Sequence, residues 1–402
     1  VPPESTRKKY YLKNVCSPTS IRGSSNKFIQ QNTKPHDNFK IKPYFCPPTS
    51  IKRNMEKVVV GLSGGVDSFV TALLLQQQGF EVIGVHLQLW ESQTGSSQEP
   101  EVKELCKQTG IKLYRLNGRQ LFQEQVVQPF IQGYLSGITP NPCATCNSFI
   151  KWNLLRDLAN ELKVHHVATG HYIRVLPFAN HYYVHKGVDP NKDQSYFLWG
   201  VPEEILSRAI TPLGDYTKTQ VKEMAKEHGF TRLAEKRESM SICFLEKGDY
   251  RDFIARQPDT ASCFTPGQIV DESGNLVGEH SGIVNYTVGQ KRGIPFKGQT
   301  PRYVSHLSPS TNQIVVGDKA SLYRTTFRLG QIHLINPEEI HSQDIEVKVR
   351  GIGLNPEGFA QLSFHPDQTL HVQLSSPAWA VAPGQPAVFY RKDRVIGGGI
   401  IL

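Results

Sequence analysis

The stretch VVVGLSGGVDSFVTALLLQQQGF, residues 58–80, decides the fold. A β-branched run enters a glycine-rich turn, and a helix with apolar periodicity follows at once. In GLSGGVDS the small residues Gly61, Ser63, Gly64 and Gly65 let the backbone come close to an anion. The helix behind them offers unpaired N–H groups and the positive end of its dipole. Ser63 and Ser68 add hydroxyls, and Asp67 is expected to hold a magnesium ion that bridges phosphates. The string is neither G-x-x-x-x-G-K-[ST] nor G-x-G-x-x-G, so the familiar phosphate-loop lysine and the dinucleotide fingerprint are both missing. A turn that uses glycine for steric reasons alone explains two glycines, but not the full S-G-G-x-D-S.

Outward from this loop, β-rich runs alternate with helical stretches. EVIGVHLQLW and IKLYRL read as strands, helices are predicted near residues 121–134 and 149–162, and HHVATG reads as a further strand. Such alternation implies an α/β fold with a doubly wound parallel sheet, whose ligands sit at the carboxyl ends of the strands. Residues 209–318 mix one clear helix, near 219–227, with short strands and many Gly/Pro turns. Beyond them IEVKVRG, FAQLSF, LHVQLSS and QPAVFYRKDRVIGGGIIL alternate like the strands of a small β-barrel. The expected organisation is an α/β catalytic domain over 55–208, a small central α+β domain over 209–318 and a β-barrel over 319–402. A chain of 402 residues is long enough for two or three such cores.

The net charge of +9 suggests RNA, but residues 1–54 hold eleven Lys/Arg and two Asp/Glu and so account for all of it. That basic, hydroxyl-rich segment reads as an organellar transit peptide, an RNA-touching arm, or upstream sequence ahead of a fold that begins at Met55. On none of these readings does it join the fold. The expected location is cytoplasmic, or plastid or mitochondrial if the segment is a transit peptide. No apolar run approaches the roughly 20 residues of a membrane span.

Seven irregularly placed cysteines do not form a secreted disulfide framework. Cys16, Cys46, Cys106 and Cys263 read as ordinary thiols. GITPNPCATCNSFIKW carries Cys143 and Cys146 in a C-x-x-C ahead of a helix predicted to open at Ser148. Zinc would need two further ligands at suitable spacing, and none is evident. A position near a helix start is expected to lower the pKa of Cys146. Cys243, between Ile242 and Phe244, reads locally as a buried core cysteine.

SGGVDS after a first strand resembles the PP-loop of ATP pyrophosphatases, which cleave ATP to AMP and pyrophosphate. Taken in order, GLSGGVDS, TPNPCATCN, ATGHY, NKDQSYFL, SICF, YTVGQKRG and PGQPAVFY closely resemble the tRNA-specific 2-thiouridylase family, from about Met55 to the C-terminus. The resemblance implies adenylation of the C2 oxygen of the tRNA wobble uridine with ATP and Mg2+. A persulfide on Cys243 would then attack C2. Cys146 matches the family's nucleophile, and it either releases hydrosulfide or closes a Cys146–Cys243 disulfide that an external reductant resets. Gly61, Leu62, Ser63, Gly64, Gly65, Val66, Asp67, Ser68, Leu87 and Gly170 match the ATP site. Asn141, Pro142 and Cys143 match positions facing the target base. His171, Lys192, Asp193, Gln194, Arg350, Gly351 and Gln385 match further tRNA contacts. Cys143 stands where many members carry aspartate, and Arg350-Gly351 where an Arg-Tyr pair is usual, which removes a stacking platform often worth about 1–3 kcal/mol. The implied partners are tRNAs for Lys, Glu and Gln and a cysteine desulfurase or sulfur carrier, with the enzyme a monomer. Two other readings stand beside this one: a PP-loop enzyme with a small-molecule acceptor, and a non-catalytic RNA-binding protein with a structural zinc.

Overall fold

The computed structural model describes residues 55–91, 98–237, 242–245, 249–296 and 302–402, together with the strand residues Lys13–Asn14. The rest of residues 1–54 lies outside the described residues.

The first sheet is built as the alternation predicts. Strands β1 (Lys57–Gly61), β2 (Glu81–Gln88), β3 (Lys112–Asn117) and β4 (His166–Ala168) are parallel, in the order β3-β2-β1-β4. Val58, Val59 and Val60 of β1 are fully buried, because helices cover both faces of a parallel sheet. Helix α1 (Val66–Gln77) turns Val66, Phe69, Val70, Ala72 and Leu75 inward at helical spacing. Behind it, α2 (Glu99–Thr109) packs Val102 and Cys106 against the same side. One expectation needs correction: Lys13–Asn14 pair antiparallel with Arg115 and Tyr114 of β3, so the basic segment does add backbone to the sheet edge.

The segment expected to open a helix at Ser148 begins earlier. Asn141 caps α3 (Pro142–Cys146) by accepting from Ala144 N–H at 3.2 Å, and proline at the first helical position is pre-set for that start. The chain then passes through a π-turn, Asn147–Lys151, into α4 (Trp152–Glu161). A hairpin, β5 (Ile173–Phe178) and β6 (His181–Lys186), leads out of the first sheet.

Central strands β7 (Gly267–Asp271), β8 (Leu276–His280), β9 (Tyr303–Ser308) and β10 (Gln313–Gly317) form a four-stranded sheet. The C-terminal strands β11 (Tyr323–Leu334), β12 (Glu346–Lys348), β13 (Ala360–Phe364), β14 (Leu370–Trp379), β15 (Pro386–Arg391) and β16 (Arg394–Ile401) run in the order β12-β15-β16-β11-β14-β13. Ala360 N–H donates to the Ile345 carbonyl at 2.8 Å, which brings the two ends of this sheet together as a barrel. The largest core runs through all three regions and includes Trp152, Phe244, Ile254, Val388 and Tyr390. The site therefore stands on one continuous packed body.

Candidate active site

The glycine turn lies at the carboxyl end of β1, where a doubly wound sheet presents its ligands. Gly64 has φ +82°, a conformation that costs a residue with a Cβ. Ser63 N–H donates to Ser68 Oγ at 3.2 Å, and Ser68 Oγ donates to the Gly65 carbonyl at 3.1 Å, which tightens the loop on itself. Gly65, the N-cap of α1, has no side chain to cap the first-turn N–H groups, an arrangement that fits phosphate oxygens. Gly170 closes the back of the loop, since a Cβ there would lie 2.7 Å from Ser68 N and 2.8 Å from Asp67 C. Leu87 is half-buried at the end of β2.

Asp67 does not behave as expected. Lys218 Nζ donates to its two carboxylate oxygens at 2.7 and 2.8 Å, and Tyr172 O–H donates to Oδ1 at 2.7 Å. With a buried ammonium already on that carboxylate, Asp67 as arranged does not fit a magnesium ligand. Among the described residues no three His, Cys, Asp or Glu side chains converge as a metal site either. Lys218 opens a helix, Lys218–Glu227, behind a Thr217–Gln220 capping box, and its own N–H donates to Asp189 Oδ2 at 2.9 Å. A lysine thus reaches the glycine loop from 151 residues away.

The thiols form a second cluster. Cys146 lies one turn inside the helix that begins at Pro142 and runs on through the π-turn, and at 4 % exposure it belongs to the core. Burial pushes its thiol up to about 12, the reverse of the lowered value expected from a helix start. Cys143, one turn earlier, is exposed, and so is Cys243, contrary to its apolar flanks. Cys243 is held by its neighbour: Phe244 is buried against the rings of Phe122, Phe130, Phe253 and Trp90, with centroids 5.1–5.9 Å away. Fixing one aromatic anchor places the adjacent sulfur. Electrostatic interactions link Cys146 with Cys143 and Cys243, and Cys143 with Cys243, so the three sulfurs share one neighbourhood. Desolvation raises all three thiols, and Lys151 opposes it at each.

The segment 169–172 joins the phosphate loop to the helix that runs on from the thiols. Gly170 and Tyr172 abut the phosphate loop, whereas His171 stacks on Trp152 with centroids 6.0 Å apart and shares a hydrogen bond with Thr169 Oγ1 at 2.8 Å. Burial holds His171 down to about 3, so it is neutral.

The remaining predicted contacts divide into two sets. Asn141 donates to Gln385 Oε1 at 3.4 Å, and Gln385 Nε2 donates to the Thr139 carbonyl at 2.7 Å, which joins the thiol helix to the barrel. Both residues line a cavity of about 340 Å³ with Phe197, Arg350, Gly351 and Ile352. Arg350 lies over Trp379 and donates to the Ala380 carbonyl at 2.7 Å. A Cβ on Gly351 would come within 2.9 Å of the Phe197 and Tyr196 rings, so the aromatic wall here is Phe197. Pro142 is buried in the thiol helix. Asp193 and Gln194, by contrast, turn inward. Asp193 accepts from Gly187 N–H, Ser195 N–H and Ser195 Oγ–H, while Gln194 accepts from Tyr172 N–H at 2.9 Å. These two side chains brace the loop that carries Lys192 against the barrel and Tyr172.

Three family models match in succession: tRNA methyl transferase HUP domain over residues 56–247, tRNA methyl transferase PRC-barrel domain over 251–318, and aminomethyltransferase beta-barrel domain over 324–401. The tRNA-specific 2-thiouridylase MnmA 2 of Phocaeicola vulgatus is 40% identical over 347 residues, covering 86% of this chain and 98% of that protein. The tRNA-specific 2-thiouridylase MnmA of Natranaerobius thermophilus is 40% identical over 362 residues, covering 86% and 97%. The chain belongs to the tRNA-specific 2-thiouridylase family. A crystal structure of a 4-thiouridine synthetase–RNA complex with bound ATP overlaps 51% of each chain at 20% identity and a TM-score of 0.32, too loose a likeness to carry an argument.

Sequence reading missed Lys218, Tyr172 and Phe197. Tyr172 and Phe197 lie within the motifs ATGHY and NKDQSYFL, which mark their segments but not these side chains, and the T-x-x-Q capping box places Lys218 at a helix start.

Proposed function

We propose that this chain is an ATP-dependent sulfurtransferase that converts the wobble uridine of tRNA to 2-thiouridine. The observation that carries the proposal is the shared support of two clusters. One segment, Thr169–Gly170–His171–Tyr172, backs the phosphate loop through Gly170 and Tyr172, and its His171 stacks on Trp152 of the helix that runs on from the thiol-bearing turn. In this reading a carbonyl oxygen adenylated at the loop meets a sulfur carried on a thiol.

In this reading the loop N–H groups hold the departing pyrophosphate as AMP passes to the C2 oxygen of uridine, and Lys218 supplies the phosphate-side cation. The terminal sulfur of a Cys243 persulfide attacks C2, and AMP leaves with the oxygen. A second thiol then attacks Cys243 Sγ, which forms a disulfide and frees the base as 2-thiouridine. An external dithiol supplies the two electrons that reset the pair. Cys146 matches the family's nucleophile, but Cys143, exposed on the same short helix, competes for that disulfide. Magnesium enters only with ATP, since Asp67 is occupied. The cavity of about 340 Å³ suits a nucleobase stacked on Phe197, with Asn141, Gln385 and Arg350 at its edge. Sulfur is expected from a cysteine desulfurase or a sulfur carrier, and the tRNAs are those for Lys, Glu and Gln.

The test supplies the purified chain with ATP, tRNA and a desulfurase with cysteine, and reads nucleosides by mass spectrometry. One oxygen of the wobble uridine is expected to be replaced by sulfur. Cys243→Ser should abolish this replacement while pyrophosphate release persists. Retained thiolation in that variant refutes the persulfide assignment.

A further inference from the structure

We propose that Asp189 and Gln194 are positioning residues of the ATP site: from the two ends of one short loop they hold Lys218 and Tyr172, two side chains that meet on Asp67 of the phosphate loop. The proposal deepens the sulfurtransferase reading at its ATP step and rests on it.

The first tie is a buried carboxylate. Asp189 is 8 % exposed, and each of its oxygens accepts from a backbone N–H. Oδ1 takes that of Asn191 at 3.0 Å, inside its own loop, and Oδ2 takes that of Lys218 at 2.9 Å, 29 residues further on. A carboxylate out of water is costly unless such donors satisfy it. The helix Lys218–Glu227 does not need Asp189 in order to start, because the Thr217–Gln220 capping box already closes its N-terminus. What the extra bond adds is location. It pins the first residue of the helix, and from that residue Lys218 Nζ reaches the two oxygens of Asp67.

The second tie closes on Tyr172. Its N–H donates to Gln194 Oε1 at 2.9 Å, and Gln194 N–H donates back to the Tyr172 carbonyl at 3.3 Å. Gly187, just ahead of the loop, packs on the same carbonyl so closely that a Cβ there would lie 2.7 Å from it. Tyr172 is thus held through its backbone while its hydroxyl donates to Asp67 Oδ1. Inside the loop, Lys192 N–H donates to the Asp189 carbonyl at 3.1 Å, and Asp193 Oδ1 accepts from Gly187 and Ser195 N–H, so both ties belong to one braced turn. Asp67 lies in the first turn of α1, beside the N–H groups that fit phosphate. Letting either partner drift would misplace charge where the phosphates react, and such small displacements cost rate.

A double-mutant cycle tests this by pyrophosphate release with saturating tRNA. Asp189→Ala should lower kcat by about tenfold while KM for ATP stays within about twofold, the pattern of a lost transition-state contact. In a Lys218→Met background the same substitution should cost less than about twofold, because the group it positions is gone. Gln194→Ala should behave likewise against Tyr172→Phe, and Gln194→Glu, which keeps the acceptor, should recover most of the rate. Hydrogen exchange without ATP or tRNA gives a second readout: the peptide spanning residues 61–72 should exchange faster in Asp189→Ala than in wild type. If Asp189→Ala does not fold, Asp189→Asn takes its place, with one acceptor for two donors. Additive losses in the cycle overturn the proposal, as does loop exchange that matches wild type. A wild-type chain that releases no pyrophosphate refutes the sulfurtransferase reading instead, and the exchange comparison then decides the proposal alone.

Discussion

Gly170→Ala isolates the link between the two halves of the site. Gly170 does not adopt a positive φ, so alanine meets no backbone penalty there. The obstacle is steric. The new methyl would lie 2.7 Å from Ser68 N, 2.8 Å from Asp67 C and 2.9 Å from Ser68 Cα, all backbone atoms of the phosphate loop. No flexible side chain can swing away to relieve it. Restoring ordinary contact requires the loop to retreat by roughly 0.7 Å, or β4 to shift by as much. Overpacking of this kind costs about 1–3 kcal/mol. A misplacement approaching 1 Å in a positioning element costs up to about 10²-fold in rate, or about 2.7 kcal/mol. Pyrophosphate release with saturating tRNA should therefore fall by roughly 10- to 100-fold in kcat/KM for ATP. Alkylation of Cys243 should hardly change, because Phe244 anchors it independently. Wild-type kinetics for ATP in Gly170→Ala would refute the placement of the phosphate site.

Other substitutions probe the remaining parts. Lys218→Met removes the cation beside the phosphate loop and leaves Asp67 its bond from Tyr172, so ATP turnover should drop by about 10²-fold or more while tRNA affinity, read by filter binding, is retained. Phe197→Ala should weaken tRNA binding by about 1–3 kcal/mol without altering KM for ATP, and an unchanged affinity would remove Phe197 from the RNA face. The pH dependence of stability follows from Cys146. Its folded thiol sits at about 12, above the free-thiol range near 8.5, so the unfolded chain releases this proton first. Its contribution is fully present below about pH 8.5 and is lost as pH rises toward 12. Melting curves of wild type and Cys146→Ala should accordingly converge as pH rises from 8 to 10, and parallel curves would count against a buried, protonated thiol.

The sequence by itself determined the elements whose cause is local. GLSGGVDS announces a phosphate loop because a tight turn, close anion approach and a helix start all depend on neighbouring residues. The alternation of β-branched runs with helical spacing announces the parallel sheet for the same reason, and the β-barrel strands were legible as short alternating runs. The motif order also placed the chain in its family, and with that Cys146 and Cys243 became candidates. Only tertiary structure decided how those residues are electrostatically set. Cys146 was expected to be activated near a helix start, yet burial in the core just past that start raises its thiol instead. Cys243 reads as a core cysteine from its local sequence alone, yet it is exposed because Phe244 beside it takes the buried place. Asp67 was expected to bind a metal, yet Lys218, far along the chain, occupies it. Desolvation and ion pairing depend on what surrounds a group in three dimensions, and those surroundings are assembled from segments whose spacing in sequence carries no trace of the contact.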